Sequence, residues 1–468
     1  MKTLKLKLGW VAKNIGPVKS GAEIESLGRR HLAGISTDSR TIKDGEVFVA
    51  LAGENFDGHS HVVEAFKKGA LAAVTQKTIR GGGVAGRVLR VPDTFQALGN
   101  LAGALLRQQK IKVLGLTGSN GKTTTKEMIA SILSLDDSHL LATAGNFNNL
   151  VGLPLTVFRL EKETRQAVLE MGMNHFREIE KLTEIADPDV GLITSVGAAH
   201  LEFFDSVSQV AAAKGELFAG LKSSAVAVVN VDDPLIINEA KRFSGNKLTF
   251  GCNAGAHVRL DRIQSHSLAG QDLLIYGPGA ENGQKIHLNL LGSHNARNAL
   301  AAAAASLAFG ADWDQITEGL GRVQSYPGRL RVIKIARGQC ILDDSYNANP
   351  TSMSAGLRTL GEIAGKKPKG ALLGDMLELG PKTALWHRDV GRLAAELNLD
   401  FLALVGEQSA VTARAARRAG LPAARVAEFS TPEEAALWIR QTRPKNSLVL
   451  VKGSHGVHLE RAVKVLAD

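Results

Sequence analysis

One segment of the sequence, residues 111–133, restricts the possible folds more than any other. It reads IKVLGLTGSNGKTTTKEMIASIL: a short apolar run, a glycine-rich turn and a run with helical periodicity. Glycines let the backbone of such a turn direct its N–H groups inward around phosphate oxygens, and the following helix adds the positive end of its dipole. The segment therefore predicts a strand, a phosphate-binding loop and a helix within a mainly parallel α/β sheet.

The loop departs from the strict G-x-x-x-x-G-K-[ST] pattern, because Leu116 stands where the first glycine would be, and it matches the shorter G-x-x-G-K-T. The alternative is a glycine-rich turn with an exposed lysine, but the flanking strand and helix favour nucleotide binding. Lys122 is predicted to reach the β- and γ-phosphates of ATP, and the Thr123 hydroxyl to ligate Mg²⁺. The predicted ATP-binding residues of the loop are Gly118, Ser119, Asn120, Gly121, Lys122, Thr123 and Thr124.

A chain of 468 residues has material for about three domains. VPDT at 91–94 and SYPGRLRV at 325–332 contain prolines that disfavour a continuing element, so we place boundaries there. The predicted domains are a small α/β unit (1–92), a central unit with the phosphate-binding loop (93–326) and a doubly wound α/β unit (327–468). Within the central unit, short alternating runs between Leu248 and Leu291 predict a β-rich insertion. An alanine-rich helix is predicted to follow it.

The composition excludes several classes of protein. The formal charge of +10 favours anionic partners, but aromatic residues make up only 5% and none interleaves with a basic stretch, which argues against nucleic acid. Cys252 and Cys340 lack disulfide or metal-ligand spacing, and both side chains are expected to be buried in the protein. Two unpaired cysteines fit a protein of a reducing compartment. There is no signal-peptide pattern and no apolar run of the ~20 residues needed to span a bilayer. We expect a cytoplasmic monomer with no membrane partner.

Seven further segments occur in the order typical of the Mur ligase family, and together with the loop they cover nearly the whole chain. They are GNFNNLVGLPLT (145–156), LEMGMNH (169–175), SVGAAHLEFF (195–204), AAAKGELF (211–218), GSHNARNALAA (292–302), PGRL (327–330) and DDSYNANPTS (343–352). The chain thus resembles Mur ligases. The resemblance implies an ATP-dependent ligase that converts a carboxylate to an acyl phosphate, which an amine then attacks.

The resemblance also implies roles for individual residues of the central unit. Glu170 is expected to bind Mg²⁺ together with Thr123, and His200 a second Mg²⁺. Lys214 is hypothesised to be carbamylated, because a lysine cation ligates no metal whereas a carbamate supplies the oxygen ligands that Mg²⁺ prefers. Lys122, His200 and Lys214 are therefore the predicted catalytic residues. By position alone, Glu170 could equally be a solvated residue at a strand end.

Further residues are expected to contact the substrates. For Asn295 the sequence alone favours helix capping, whereas the resemblance implies contact with adenine. It also implies that Arg329 touches the γ-phosphate and that Asp344 binds the ribose. The predicted contacts to the UDP-linked muramoyl peptide are Asn146, Asn148, Asn149, Ser39 and Arg40.

Within the family, LGDMLELG (373–380), VKGSHGVHLE (451–460) and the DSYNANP segment resemble the members that add D-alanyl-D-alanine to UDP-N-acetylmuramoyl-tripeptide. The family commonly has K-G-S-R where this chain has K-G-S-H, with His455 in the fourth position. It also often has T-N where this chain has Thr194-Ser195. Two alternatives stay open: another ligase of the superfamily, either a different amino-acid-adding Mur ligase or a folylpolyglutamate synthase, and a nucleotide-binding switch without ligase chemistry.

Overall fold

The computed structural model describes residues 5–53, 56–136, 139–199, 201–335 and 338–467. In these ranges the chain forms three sheets that follow one another along the sequence, each covered by its own helices. The predicted α/β class with mainly parallel sheets in three successive units is confirmed. The domain boundaries at 92/93 and 326/327 stay predictions; they fall between the last strand of one sheet and the first strand of the next.

The first sheet is small and almost entirely parallel. Its strands are β1 (Lys19–Ser20), β2 (Ile35–Ser36), β3 (Val47–Val49), β4 (Ala72–Thr75) and β5 (Val88–Arg90). They are arranged β1-β5-β4-β3-β2, and only the pairing of β1 with β5 is antiparallel. The helices here are α1 (Leu8–Asn14), α2 (Ile24–Leu27) and α3 (Val62–Lys67).

A long helix, α4 (Thr94–Gln109), joins the first sheet to the second. It begins where Asp93 accepts hydrogen bonds from the N–H groups of Phe95 and Gln96, a cap that adds about 1 kcal/mol. Its first half packs into the core of the first unit and its second half into the central core. One helix therefore fixes the two units against each other.

The central sheet carries the predicted phosphate-binding loop. Its strands are β6 (Lys112–Thr117), β7 (Leu141–Ala142), β8 (Gln166–Glu170), β9 (Val190–Ile193), β10 (Val226–Asn230), β11 (Asn246–Gly251), β12 (Val258–Ser267), β13 (Gly270–Gly277) and β14 (Ala280–Leu288). Its helices are α5 (Lys122–Leu133), α6 (Gly152–Val157), α7 (Glu178–Ala186), α8 (Val207–Ala219), α9 (Pro234–Glu239), α10 (Ser293–Phe309) and α11 (Trp313–Arg322). The strand order is β14-β13-β12-β11-β10-β9-β6-β8-β7.

Strand pairing in this sheet changes from parallel to antiparallel along the chain. The pairs from β6 to β12 are parallel, whereas β12, β13 and β14 form antiparallel hairpins, as predicted for the β-rich insertion. Leu114 and Leu116 face the core under α5, α10 and α11, while Val113 faces the core under α7 and α8. Because side chains alternate along a strand, both faces of β6 are apolar and buried.

The third sheet is doubly wound. Its strands are β15 (Arg331–Lys334), β16 (Cys340–Asp344), β17 (Lys369–Gly374), β18 (Phe401–Val405), β19 (Val426–Phe429) and β20 (Leu448–Lys452), in the order β15-β16-β20-β17-β18-β19. Helices α12 (Pro350–Ala364), α13 (Thr383–Glu396) and α14 (Ser409–Arg418) cover one face, and α15 (Pro432–Thr442) and α16 (Glu460–Ala467) cover the other. Only β15 runs antiparallel to its neighbour.

One expectation about the cysteines is wrong. Cys340 is buried in β16 as predicted, but Cys252 is exposed. It comes directly after β11, and its backbone N–H donates to the Asp232 carboxylate at 2.8 Å, which holds it in a surface turn. In the described part of the chain, no helix is long and apolar enough to cross a membrane.

Candidate functional site

The glycine-rich loop lies where strand order reverses in the central sheet. From β6 the chain passes to β7 and β8 on one side, and from β8 it crosses to β9 on the other side of β6; ligand clefts form at such positions. Two glycines make the loop possible. A Cβ on Gly118 would lie 2.0 Å from the Thr194 Oγ1, and Gly121 has a φ of +79° with Asn298 Oδ1 at 2.2 Å from its Cβ position. Neither position tolerates a larger residue without rearrangement.

A cleft of about 420 Å³ opens above this loop, between the central and third sheets. It brings together most of the predicted nucleotide and metal residues. Those that line it are Ser119, Asn120, Gly121, Lys122, Thr123, Thr124, Asn146, Asn148, Glu170, Asn295, Arg329 and Asp344. Residues from sequence positions more than 200 apart therefore converge on one cavity.

Lys122 and Lys214 lie in surroundings that disfavour the charged form of a lysine. The Lys122 ammonium donates to the Gly118 carbonyl at 2.7 Å. Burial lowers the pKa of Lys122, the carboxylate of Glu170 opposes this shift, and Arg329 adds to it. Lys214 is fully buried in α8, and burial, followed by the charge of Lys122, lowers its pKa well below the ordinary lysine value. The fold thus favours the neutral amine at position 214.

Glu170, the last residue of β8, presents a buried carboxylate to the cleft. The residue is 2% exposed. Its Oε1 accepts a hydrogen bond from Asn148 Nδ2 at 2.8 Å, while its Oε2 is buried and has no hydrogen-bond partner among the described residues. A buried carboxylate oxygen without a donor is costly, so this atom is suited to a cation.

The third sheet contributes a guanidinium and an ion pair to the cleft. Arg329 lies with its guanidinium carbon 4.1 Å above the ring of Tyr346, and its Nη2 donates to Thr123 Oγ1 at 3.4 Å. Asp344 Oδ2 accepts from the buried Lys452 Nζ at 2.6 Å, and its Oδ1 accepts from the Leu330 N–H at 3.1 Å. Asp344 therefore holds the segment after Arg329 in place as well as facing the cleft.

The Asn295 side chain does not cap its helix. Gly292 occupies the cap position of α10, and Asn295 is the third residue of the helix, with its Nδ2 donating to the Leu291 carbonyl at 2.8 Å. The capping interpretation from sequence alone is therefore wrong. Asn298 Nδ2 donates to Asn295 Oδ1 at 3.0 Å, so the two amides form a pair at the cleft wall.

Asn298, Lys452 and His294 are among the cleft residues that the sequence analysis missed. Asn298 is three residues after Asn295, and this spacing on a helix could have placed both on one face. Lys452 ends β20, which pairs with β16, so its approach to Asp344 depends on strand order. His294 lines the cleft with a buried Nδ1 that has no partner in the described part of the chain, and burial lowers its pKa to about 4. The His itself carried no local signal.

The remaining predicted residues lie elsewhere or outside the described ranges. Ser39 and Arg40 are in the first unit, away from the cleft, where the Arg40 guanidinium pairs with the Asp38 carboxylate at 2.8 Å. Asn149 uses its Oδ1 to accept from the N–H groups of Val151 and Gly152 at the start of α6. His200 lies outside the described residues. Ser195, where the family commonly has asparagine, accepts from the Asn120 N–H at 3.2 Å.

Asn349 links the two sides of the cleft, and it yields a prediction. Its Oδ1 accepts from the Ser352 N–H at the start of α12, while its Nδ2 donates to Asn120 Oδ1 at 2.8 Å.

We expect Asn349→Ala to lose about 1 kcal/mol of unfolding free energy, measured by urea denaturation, because the cap is removed. Asn349→Asp keeps the cap acceptor but loses the donor to Asn120. It should unfold like the wild type while turning over ATP more slowly. Equal turnover in Asn349→Asp and the wild type would contradict a role for the link.

Comparisons with known proteins match nearly the whole chain. Residues 31–104, 116–306 and 328–455 match the family models described as Mur ligase family, catalytic domain; Mur ligase middle domain; and Mur ligase, glutamate ligase domain. The chain is 36% identical over 435 residues to the UDP-N-acetylmuramoyl-tripeptide–D-alanyl-D-alanine ligase of Bacillus subtilis, covering 93% of each chain.

Solved structures of MurF ligases are similar to this chain over nearly its whole length. A crystal structure of MurF from Acinetobacter baumannii superposes with a TM-score of 0.90 at 33% identity over 100% of both chains. The MurF ligase of Thermotoga maritima in complex with ADP gives a TM-score of 0.82 at 28% identity, over 93% of this chain and 97% of that one.

Proposed function

This chain belongs to the Mur ligase family of ATP-dependent ligases, and we propose that it joins D-alanyl-D-alanine to UDP-N-acetylmuramoyl-tripeptide in the cytoplasm. The observation that carries the proposal is the cleft itself. It sets a phosphate-binding loop, a buried carboxylate oxygen without a partner in the described ranges and a guanidinium from the third unit around one cavity. The relatives that this chain matches over 93% of their length carry that ligase name.

The reaction proceeds in two steps. A carboxylate oxygen of the tripeptide attacks the γ-phosphorus of ATP, the bond to the β-phosphate oxygen breaks, and ADP leaves. The amine of D-alanyl-D-alanine then attacks the acyl phosphate carbon, phosphate leaves with the bonding electrons, and the amine loses a proton. The first step brings two anions together, so fixed cations must offset their repulsion. Lys122 and Arg329 supply charge from opposite sides of the cleft.

Each part of the cleft has a share in positioning the nucleotide. The backbone N–H groups of the loop and the start of α5 bind the phosphates. Asn295 and Asn298 offer amides for the base, and Asp344, anchored by Lys452, faces the ribose. Arg329 is held over Tyr346 and so arrives at the γ-phosphate with its orientation already fixed. Asn146 and Asn148 line the side on which the peptide carboxylate would enter.

The residues of the cleft fit Mg²⁺. No described residue donates to the buried Glu170 Oε2, and the Thr123 hydroxyl lies in the same cavity. Among the described residues, no three His, Cys, Asp or Glu side chains converge on one point, so phosphate oxygens and water would complete the ligand set. When bound, Mg²⁺ would draw charge from the phosphate oxygens. His200 is the proposed holder of a second ion.

Lys214 is proposed to carry a carbamate. Carbon dioxide reacts with a neutral amine, and burial lowers the pKa of Lys214 towards that form. The product is an anion, which the Lys122 ammonium attracts, whereas an ammonium at position 214 would be repelled by it. Its oxygens would join Glu170 in holding Mg²⁺. The first unit, with Ser39 and Arg40, is proposed to bind the UDP moiety.

Phosphate release from ATP tests the proposed reaction directly. We expect release to require UDP-N-acetylmuramoyl-tripeptide and D-alanyl-D-alanine together, with the joined pentapeptide identified by mass spectrometry. Omitting either substrate is the control. Release with D-glutamate, diaminopimelate or a folate and glutamate would assign the chain to another ligase of the superfamily. No release with any of these pairs would favour a nucleotide switch.

A further inference from the structure

A second lysine of α5, one turn after Lys122, is buried behind the cleft. Lys126 is 1% exposed, which is rare for a lysine and requires fixed partners. Its ammonium donates to the Thr143 carbonyl at 2.6 Å and also pairs with Glu127. It does not line the cleft, and the chemistry described above gives it no part.

Thr143 continues the connection towards the cleft. Its side chain is buried, and its hydroxyl accepts a hydrogen bond from the Glu170 N–H at 3.0 Å. Thr143 also begins the connection that leads to Asn148, whose amide donates to Glu170 Oε1 at 2.8 Å. Two hydrogen bonds, both made by Thr143, thus link the Lys126 ammonium to the backbone of Glu170. The loop that begins at Thr143 also carries Asn148, which donates to the Glu170 carboxylate.

We propose that Lys126 is a positioning residue that fixes the Glu170 carboxylate relative to the phosphate-binding helix. The proposal rests on the proposed metal site. Lys126 and Lys122 belong to one rigid helix, so the tether to Thr143 sets the distance between the phosphate-binding end of α5 and the end of β8. An apolar residue at position 126 would leave the buried Thr143 carbonyl without its lysine donor. The adjacent connection would then be free to shift.

The distinguishing measurement is metal affinity without turnover. Mn²⁺ binding to the ADP complex, followed by electron paramagnetic resonance, reports the site whether or not the chain ligates peptides. We expect Lys126→Met to weaken Mn²⁺ binding about 10- to 100-fold, the usual effect of losing a partner that orients a metal ligand. Thr143→Val, which removes only the hydroxyl that accepts from Glu170, should weaken it in the same direction.

Controls separate positioning from packing. Thr125→Val is the matched variant, because the buried Thr125 hydroxyl makes no hydrogen bond to any described residue. It should bind Mn²⁺ like the wild type. Glu127→Gln should also retain affinity, since the contact of Lys126 with Thr143 remains. If Lys126 acts through Glu170, Lys126→Met/Glu170→Gln should bind no more weakly than Glu170→Gln alone.

Two outcomes would overturn the proposal. One is a Lys126→Met protein with a lower melting temperature but wild-type Mn²⁺ affinity, which would make the lysine a packing element only. The other is full additivity with Glu170→Gln. Should Lys126→Met fail to fold, Thr143→Val decides the matter by the same criteria. Because none of these readouts needs peptide joining, failure of the ligase assignment would be recognised separately, as absent phosphate release in the wild type.

Discussion

Lys122→Ala is expected to lower kcat/KM for peptide joining by about 1,000-fold or more, the scale on which removing a key charge-stabilising group acts. The ammonium rests on the Gly118 carbonyl at 2.7 Å, at the start of the helix whose N–H groups bind phosphate. ATP offers it a stronger partner, and its charge is needed most when the γ-phosphoryl group meets a second anion. Phosphate release and pentapeptide formation would both be measured.

Lys122→Ala should lose this activity although it folds like the wild type. Burial lowers the pKa of Lys122, which means that the folded chain holds this ammonium at a cost. Removing it should therefore leave the melting temperature unchanged or slightly raised. Lys247→Ala is the matched substitution and should retain full turnover, because Lys247 is an exposed lysine near the start of β11 in the central sheet and does not line the cleft. Turnover of Lys122→Ala within tenfold of the wild type would remove the basis for the proposed mechanism.

The fold was predictable where local signals agree with the global arrangement. The strand, loop and helix at 111–133 appear as β6 and α5 because apolar periodicity and glycine spacing both specify them. The same reasoning failed for Cys252. Its exposure depends on where β11 ends and on an acceptor at Asp232, and neither is encoded next to the cysteine.

The cleft was predictable only in part, for a related reason. Residues that follow strands, such as Glu170, can be placed at one edge of a sheet from sequence. Helical lysines cannot, because an exposed and a buried lysine look alike in a sequence. Lys126 and Lys214 are each 1% exposed, and only the packing of α5 and α8 reveals it. Lys452 likewise acquires its role from the pairing of β20 with β16.

Lys214→Met is expected to lower peptide joining by about 100-fold or more while making the fold more stable, because it removes a proposed metal ligand and a buried amine together. The folded state holds fewer protons on Lys214 than the unfolded state, whose pKa is about 10.5. The wild-type free energy of unfolding should therefore rise with pH between the lowered folded pKa and about 10.5. Lys214→Met should lose this rise and be more stable than the wild type at neutral pH.

Bicarbonate separates the carbamate from a merely buried amine. A group that forms only on the folded chain stabilises it by mass action, so bicarbonate should raise the wild-type melting temperature and leave Lys214→Met unaffected. With ¹³C-bicarbonate, a carbonyl resonance should appear in the wild type and be absent from the variant. A variant that joins peptides at the wild-type rate would contradict the role of Lys214. A wild type without the resonance at saturating bicarbonate would leave Lys214 a neutral amine, and the metal would then depend on Glu170, Thr123 and the phosphates alone.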